Sequence, residues 1–263
     1  MLEMKLKIKN ISFSYDSIEA LKRVSFETEE GRILGIVGPN GSGKTTLLKC
    51  INKVLKPEEG VVFLDDINLA ILNQKEIAQK IGVVPQLSFR LPFTVFDTVL
   101  MGRFPYIKRL SREKKEDFDI VDECLNLCGI SHLAERLITE ISGGEYQKVI
   151  IARALAQRPE VFLLDEPTLH LDINHQIELL ELLKFLAQKK NLIVIMVSHD
   201  LNLSARYSDK ILILKEGKIY QAGLPEEVIT HQCIKEVYGI ETEIIRSQIT
   251  NSLNIIPVSS AKR

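Results

Sequence analysis

An apolar run, Arg32-Ile33-Leu34-Gly35-Ile36-Val37, leads straight into Gly38-Pro39-Asn40-Gly41-Ser42-Gly43-Lys44-Thr45-Thr46, and Thr45–Ile51 then reads as a helix start. Few short stretches constrain a fold as tightly. The spacing is G-x-x-x-x-G-K-[ST], which requires a buried strand before it and a helix after it. Its glycines let backbone N–H groups turn inward around an anion. The helix N-terminus adds a positive partial charge and unpaired donors. Lys44 can reach the β- and γ-phosphates of a nucleoside triphosphate, and the Thr45 hydroxyl can ligate Mg²⁺. The whole loop, Gly38, Pro39, Asn40, Gly41, Ser42, Gly43, Lys44, Thr45 and Thr46, is the expected triphosphate site, and an α/β domain is its expected frame.

The chain has 263 residues, 45% of them apolar, which suits one large domain or a core with a subdomain. A net charge of −1 and a pI near 6.5 leave no electrostatic footprint for nucleic acid. The four cysteines, Cys50, Cys124, Cys128 and Cys233, form no CxxC pair, which favours a reducing compartment. Cys124 and Cys128 fall on one face of a helix and read as buried thiols. Met1–Lys9 alternates apolar and charged residues, a strand pattern rather than a signal peptide. The longest apolar runs, such as Ile193–Val197, fall far short of the ~20 residues that a span needs, so the chain is expected to be soluble and to reach a membrane only through a partner.

Strands are predicted over Lys5–Asn10, Val24–Glu27 and Arg32–Val37, then Val61–Leu64 and Ile81–Pro85. Residues 95–157 are mostly helical in pattern, with Phe118, Val121, Leu125 and Cys128 along one face. Fully apolar strands return at Val161–Leu164, Leu192–Val197 and Lys210–Leu214, as in a parallel sheet buried on both faces. The expected organisation is a discontinuous core, 1–86 plus 159–223, with a helical insertion at 87–158. An extension at 224–263 should hold two short helices and one or two strands, with Ser259–Arg263 frayed.

Two further motifs serve the same ligand. Val161–Leu164 ends in Asp165-Glu166, and acids at the C-terminal end of a sheet strand lie where open α/β sheets bind ligands. Asp165 can hold Mg²⁺ through water, and Glu166 can orient and deprotonate an attacking water. Ile141-Ser142-Gly143-Gly144-Glu145-Tyr146-Gln147 precedes a predicted helix over Lys148–Gln157 and offers a second phosphate-binding helix end.

With these motifs in order, the chain resembles the nucleotide-binding subunits of ABC transporters, whose signature is LSGGQ; here Ile141 and Glu145 replace its Leu and Gln. The resemblance implies a P-loop NTPase cassette: a RecA-like core, an antiparallel β subdomain and an inserted helical subdomain. It implies that Tyr15 stacks on adenine, that Gln86 is the Q-loop residue touching Mg²⁺ and water, that Asp172 belongs to the D-loop Leu169-His170-Leu171-Asp172, and that His199 contacts the γ-phosphate. Thr45, Gln86 and Asp165 would be the Mg²⁺ residues. It further implies a head-to-tail homodimer around two ATP molecules, with Ser142, Gly143, Gly144 and Glu145 of each subunit facing the ATP of the other.

Three kinds of ATPase are compatible with such a cassette: an importer motor, an exporter motor and a soluble ATPase. The short stretch from Gln86 to Ser142 has no room for the long coiled coil of chromosome and repair ATPases. Thr94-Val95-Phe96-Asp97-Thr98-Val99-Leu100-Met101-Gly102-Arg103-Phe104-Pro105-Tyr106 is similar to a segment of importers for iron–siderophore, haem, vitamin B12 and molybdate. That resemblance implies polytopic permease subunits as partners, a substrate-binding protein indirectly, and a place at the cytoplasmic face of the membrane. Phe89, Leu91, Phe93, Val95 and Phe104 are candidates for the permease-docking groove. Pro225–Val228 and Val237–Ile240 resemble the same importer group. The transported substrate is not legible.

Overall fold

The computed structural model describes residues 4–86, 90–108 and 111–261. The alternating N-terminus forms β1 (Lys5–Tyr15), which pairs antiparallel with β2 (Ile18–Glu29). Leu6 and Ile8 point into the core while lysines 5, 7 and 9 point away. Both strands outrun their predicted lengths. Asn10 and Arg23 adopt positive φ, at 51° and 52°, beside shifts in register. Such irregularities break the period-two pattern without ending the strand.

β3 (Ile33–Val37) is buried along its whole length and feeds the phosphate loop and α1 (Lys44–Ile51). β4 (Glu59–Leu64) and β5 (Ile67–Asn68) complete a four-stranded antiparallel sheet of order β2-β1-β4-β5. α2 (Gln74–Lys80) and β6 (Ile81–Val84) follow. The helical stretch then holds α3 (Val95–Leu100), α4 (Lys115–Leu127) and α5 (Gly143–Leu155). β7 (Val161–Asp165), α6 (Ile173–Lys190), β8 (Ile193–Val197), α7 (Leu201–Tyr207), β9 (Lys210–Lys215) and β10 (Lys218–Gly223) close the central sheet. Its order is β10-β9-β3-β8-β7-β6, parallel except for β10. The extension contains α8 (Pro225–Val228), α9 (His231–Tyr238) and the hairpin β11 (Ile240–Arg246)–β12 (Leu253–Ser260).

Strands of the central sheet divide their side chains between two cores. Phe162 and Leu164 of β7, with Val194 and Met196 of β8, face the core built by α3–α6. Val161, Leu163, Ile193, Ile195 and Val197 face the opposite core, shared with α1 and the antiparallel sheet. Each such fully buried side chain contributes roughly 1.5–3 kcal/mol of transfer free energy. This is why these strands carry no polar face.

Three expectations need correction. α5 starts at Gly143, not Lys148, because Ser142 and Glu145 close a capping box around its first turn. Phe118 is exposed and stacks on Phe96 at 5.9 Å, while Val121, Leu125 and Cys128 are buried as predicted. Ser259 and Ser260 belong to β12, and Ala261 N–H donates to the Gly239 carbonyl at 2.8 Å. All four cysteines are buried, and burial pushes the Cys124 thiol up to about 12.

Candidate functional site

The phosphate loop leaves β3 with Gly38, Gly41 and Gly43 at positive φ, 152°, 77° and 101°. A Cβ on Gly38 would fall 2.1 Å from the Leu214 carbonyl oxygen, so only glycine lets the loop pass β9. The loop is also tied to its surroundings. Gly217 N–H donates to the Ser42 carbonyl at 3.1 Å, and Lys22 N–H donates to the Gly217 carbonyl at 2.8 Å. Lys44 is buried and its ammonium donates to the Gly38 and Pro39 carbonyls at 2.8 and 3.0 Å. Burial pulls its pKa below the usual lysine range, against the pull of Glu166 and Asp165. These weak carbonyl partners hold the cation in the loop, ready for stronger anionic ones.

Sheet order gathers the remaining groups. β6, β7, β8 and β3 are neighbours in parallel, so their C-terminal ends deliver Gln86, Asp165–Glu166, His199 and the loop to one edge. The Thr45 hydroxyl donates to Asp165 Oδ1 at 3.2 Å. Burial raises the Asp165 carboxyl above its usual range, and Glu166 adds to the rise while the Thr45 hydrogen bond opposes it. Glu166 itself has φ of 52° and donates its N–H to the Val197 carbonyl at 3.0 Å. Its carboxylate is held at both oxygens, by Gln86 Nε2 at 3.1 Å and by His199 Nε2 at 2.5 Å.

A cleft of about 510 Å³ opens over the loop. Tyr15, Ile18, Lys22, Asn40–Thr46, Glu166, His199 and Gly217 are among its walls. Tyr15 stands edge-on to Phe13, with centroids 4.9 Å apart, and leaves a face to solvent. Ile18, Lys22 and the Glu216-Gly217 turn were not singled out in the sequence. Ile18 and Lys22 lie on β2 and Glu216-Gly217 is the turn between β9 and β10, so their approach to the loop depends on β2 and β10 meeting across two sheets.

The second phosphate-type helix end lies elsewhere. Ser142 Oγ accepts from Glu145 N–H at 3.3 Å, and Glu145 Oε2 accepts from Ser142 N–H at 2.8 Å. Hydrogen bonds to its carboxylate, from the Ser142 backbone N–H first and the Ser142 side chain after it, hold the Glu145 carboxyl below its usual range. Ser142 and Gly143 are exposed, and neither lines the cleft over the loop. Asp172 caps α6 and is exposed, and His170 before it has φ of 63°.

The Thr94–Tyr106 segment has a structural role of its own. Thr94 caps α3 through Asp97 N–H at 3.0 Å. Gly102 lies against α5, where a Cβ would fall 2.1 Å from the Arg153 carbonyl oxygen. Arg103 is buried, pairs with Asp117 at 2.9 Å, donates to the Ala156 carbonyl at 2.7 Å and lies over Tyr106. Of the expected groove residues, Leu91, Phe93 and Phe104 are exposed. Val95 is a correction: it is fully buried in the helical core, because it is the first residue of a helix whose apolar face turns inward. Phe89 lies outside the described residues.

A family model described as ABC transporter matches residues 21–169, more than half of the chain. The chain belongs to the ABC transporter family. It is 44% identical over 241 residues to an uncharacterised ABC transporter ATP-binding protein of Methanocaldococcus jannaschii, covering 92% of this chain and 94% of that one. It is 36% identical over 256 residues to the ferric enterobactin transport ATP-binding protein of Escherichia coli, covering 97% and 94%. Among solved structures, it is similar to an inward-facing metal-chelate type ABC transporter, with TM-score 0.86, 29% identity and 98% of both chains covered. A bacterial ABC transporter cassette solved as a dimer matches with TM-score 0.72 and 34% identity, over 84% of this chain and 98% of that one. The α/β cassette read from the sequence is thus the fold of this ABC subunit, an ATP-binding ATPase. No helix among its described residues is long and apolar enough to cross a membrane.

Proposed function

We propose that this ABC subunit is the ATP-hydrolysing motor of an importer for a metal chelate such as an iron–siderophore. The observation that carries the catalytic part is the Glu166 carboxylate, held between Gln86 and His199 beside the phosphate loop. A carboxylate fixed at both oxygens is oriented to take a proton from water at the γ-phosphate. Lys44 and the loop amides hold the phosphates, and Tyr15 takes the adenine. Thr45 and Asp165 already share a hydrogen bond, and their hard oxygens, with Gln86, suit Mg²⁺. Bound there, Mg²⁺ would supply positive charge against the phosphates.

The signature end belongs to a second copy in this reading. One chain has two phosphate-type helix ends that do not share a cleft, which favours two chains closing head-to-tail on two ATP molecules. The same reading places the subunit at the cytoplasmic face, on permease subunits, with exposed Leu91, Phe93 and Phe104 toward the permease. The relative that serves ferric enterobactin supports the cargo class. Residues 1–86 with 159–223, 87–158 and 224–263 would be its nucleotide core, helical arm and extension.

Glu166→Gln is expected to keep ATP binding and to lose at least ~100-fold in hydrolysis, the usual worth of a general base. Normal turnover would remove Glu166 from the chemistry. Tagged Glu166→Gln protein with ATP, purified from detergent-solubilised membranes, should bring down a polytopic membrane protein in stoichiometric amount. Recovery from the soluble fraction alone would move the function to a soluble ATPase.

A further inference from the structure

His175 is a residue that the nucleotide chemistry leaves unused, yet it joins two of its parts. It lies in the first turn of α6, behind the D-loop. Its backbone N–H donates to Asp172 Oδ1 at 2.9 Å, and its ring Nδ1 meets Asp172 Oδ2 at 2.8 Å. One residue thus engages both oxygens of an otherwise exposed carboxylate. The backbone bond first, and the ring bond after it, hold that carboxyl below its usual range. Against a carboxylate, Nδ1 must carry the proton, which fixes the ring's orientation.

The other face of the ring rests on the signature helix. A Cβ on Gly144 would fall 2.3 Å from His175 Cδ2 and 2.9 Å from Nε2. The contact therefore needs both glycine at 144 and a flat ring at 175. One turn further along both helices, Lys148 pairs with Glu178 at 2.8 Å, and Asn174 also donates to Glu178 at 2.8 Å. The register between the starts of α5 and α6 is set at two successive levels. Capping α6 needs only the backbone bond to Asp172. The ring bond and the Gly144 contact go beyond it.

We propose that His175 is a positioning residue for the ATPase, which clamps the signature turn at Gly144 to the Asp172 carboxylate so that signature and D-loop meet a second copy as one rigid edge. The inference rests on the paired-subunit reading above. It gives His175 no contact with ATP of its own chain, so the affinity of a single chain for nucleotide should not depend on it.

The test uses the full chain in the Glu166→Gln background, with ATP-driven dimerisation followed by light scattering and nucleotide affinity measured on dilute protein. His175→Ala should leave that affinity within about twofold and raise the protein concentration needed for dimers about tenfold, as expected when an interface loses its pre-organised edge. With Glu166 restored, it should lower kcat about tenfold with KM nearly unchanged. His175→Asn keeps only the donor for Asp172 and His175→Phe keeps only the ring against Gly144, so each should recover part of kcat and neither should recover it fully. Should His175→Ala fail to fold, these two carry the same comparison. Dimerisation and kcat at parent levels in His175→Ala, or full recovery in either His175→Asn or His175→Phe, would overturn the inference. If the Glu166→Gln parent stays monomeric with ATP, the paired-subunit reading falls first, and this inference with it.

Discussion

Helix α1 begins behind Gly43, which has no side chain to offer its first turn, whereas α5 begins behind Ser142, whose hydroxyl and N–H both close on Glu145. The first end leaves its amides to a ligand and is bent into place by glycines at positive φ. Around it the charges are held under strain: Lys44 is pulled down and Asp165 is pushed up, each chiefly by burial. The second end satisfies itself, stays exposed, and holds Glu145 in its favoured charged form. A phosphate site completed by its own chain can be unstable until ATP arrives. On the proposed paired-subunit reading, the end that waits on the surface for another molecule's ATP must be stable alone.

The sharpest way to break this comparison is a methyl group at each end. Gly38→Ala drives a Cβ to 2.1 Å from a backbone oxygen and should destabilise by about 3 kcal/mol or more. Gly143 has nothing within 4 Å of the same position, so Gly143→Ala should unfold within about 0.5 kcal/mol of the parent. Denaturant unfolding of both variants decides it, and equal losses would end the contrast.

Next in size is the far end of α5, where buried Arg103 binds both Asp117 and the Ala156 carbonyl. Arg103→Ala should cost about 3–5 kcal/mol, since it strands a buried carboxylate. Burial alone would raise the Asp117 carboxyl, but Lys114 N–H and Arg103 hold it below its usual range. A depressed carboxyl contributes stability above its unfolded pKa, about 3.9, and loses it as the pH falls through the lower folded value. The variant's deficit should therefore shrink in acid; a deficit that is constant with pH would separate Arg103 from Asp117.

Ser142→Ala removes the cap and should cost about 1 kcal/mol, with ATP affinity of the single chain unchanged. A loss of that affinity would place the signature in its own subunit's site. The smallest effect should be a gain. A raised carboxyl contributes favourably only below its unfolded pKa, and that contribution is lost as pH rises through the folded value. Ionised Asp165 is thus a burden at neutral pH, and Asp165→Asn should melt higher without nucleotide. A lower melting temperature would show the Thr45 bond to outweigh burial.

The expectations that failed did so where side chains answered to neighbours rather than to periodicity. β1 looked finished at Asn10 because the bulge there interrupts alternation. Glu145 read as a departure from a motif, yet it is the residue that starts α5 early. Val95 was expected in a groove and is fully buried, since one apolar residue looks the same on either side of a helix. Arg103 belongs to a family-like segment, and nothing in the letters says that its charge is buried against Asp117.

What the sequence determined by itself is the phosphate loop, the parallel α/β core and the order of the motifs. Each is local: glycine spacing dictates backbone turns, and unbroken apolar runs dictate strands buried on both faces. Tertiary structure alone decided that Gln86 and His199 grip the two oxygens of Glu166, and that His175 joins Asp172 to Gly144. Those contacts depend on which strands lie side by side and how two helices register. Strand order and helix register are set by the packing of whole cores, and no short stretch of residues encodes them.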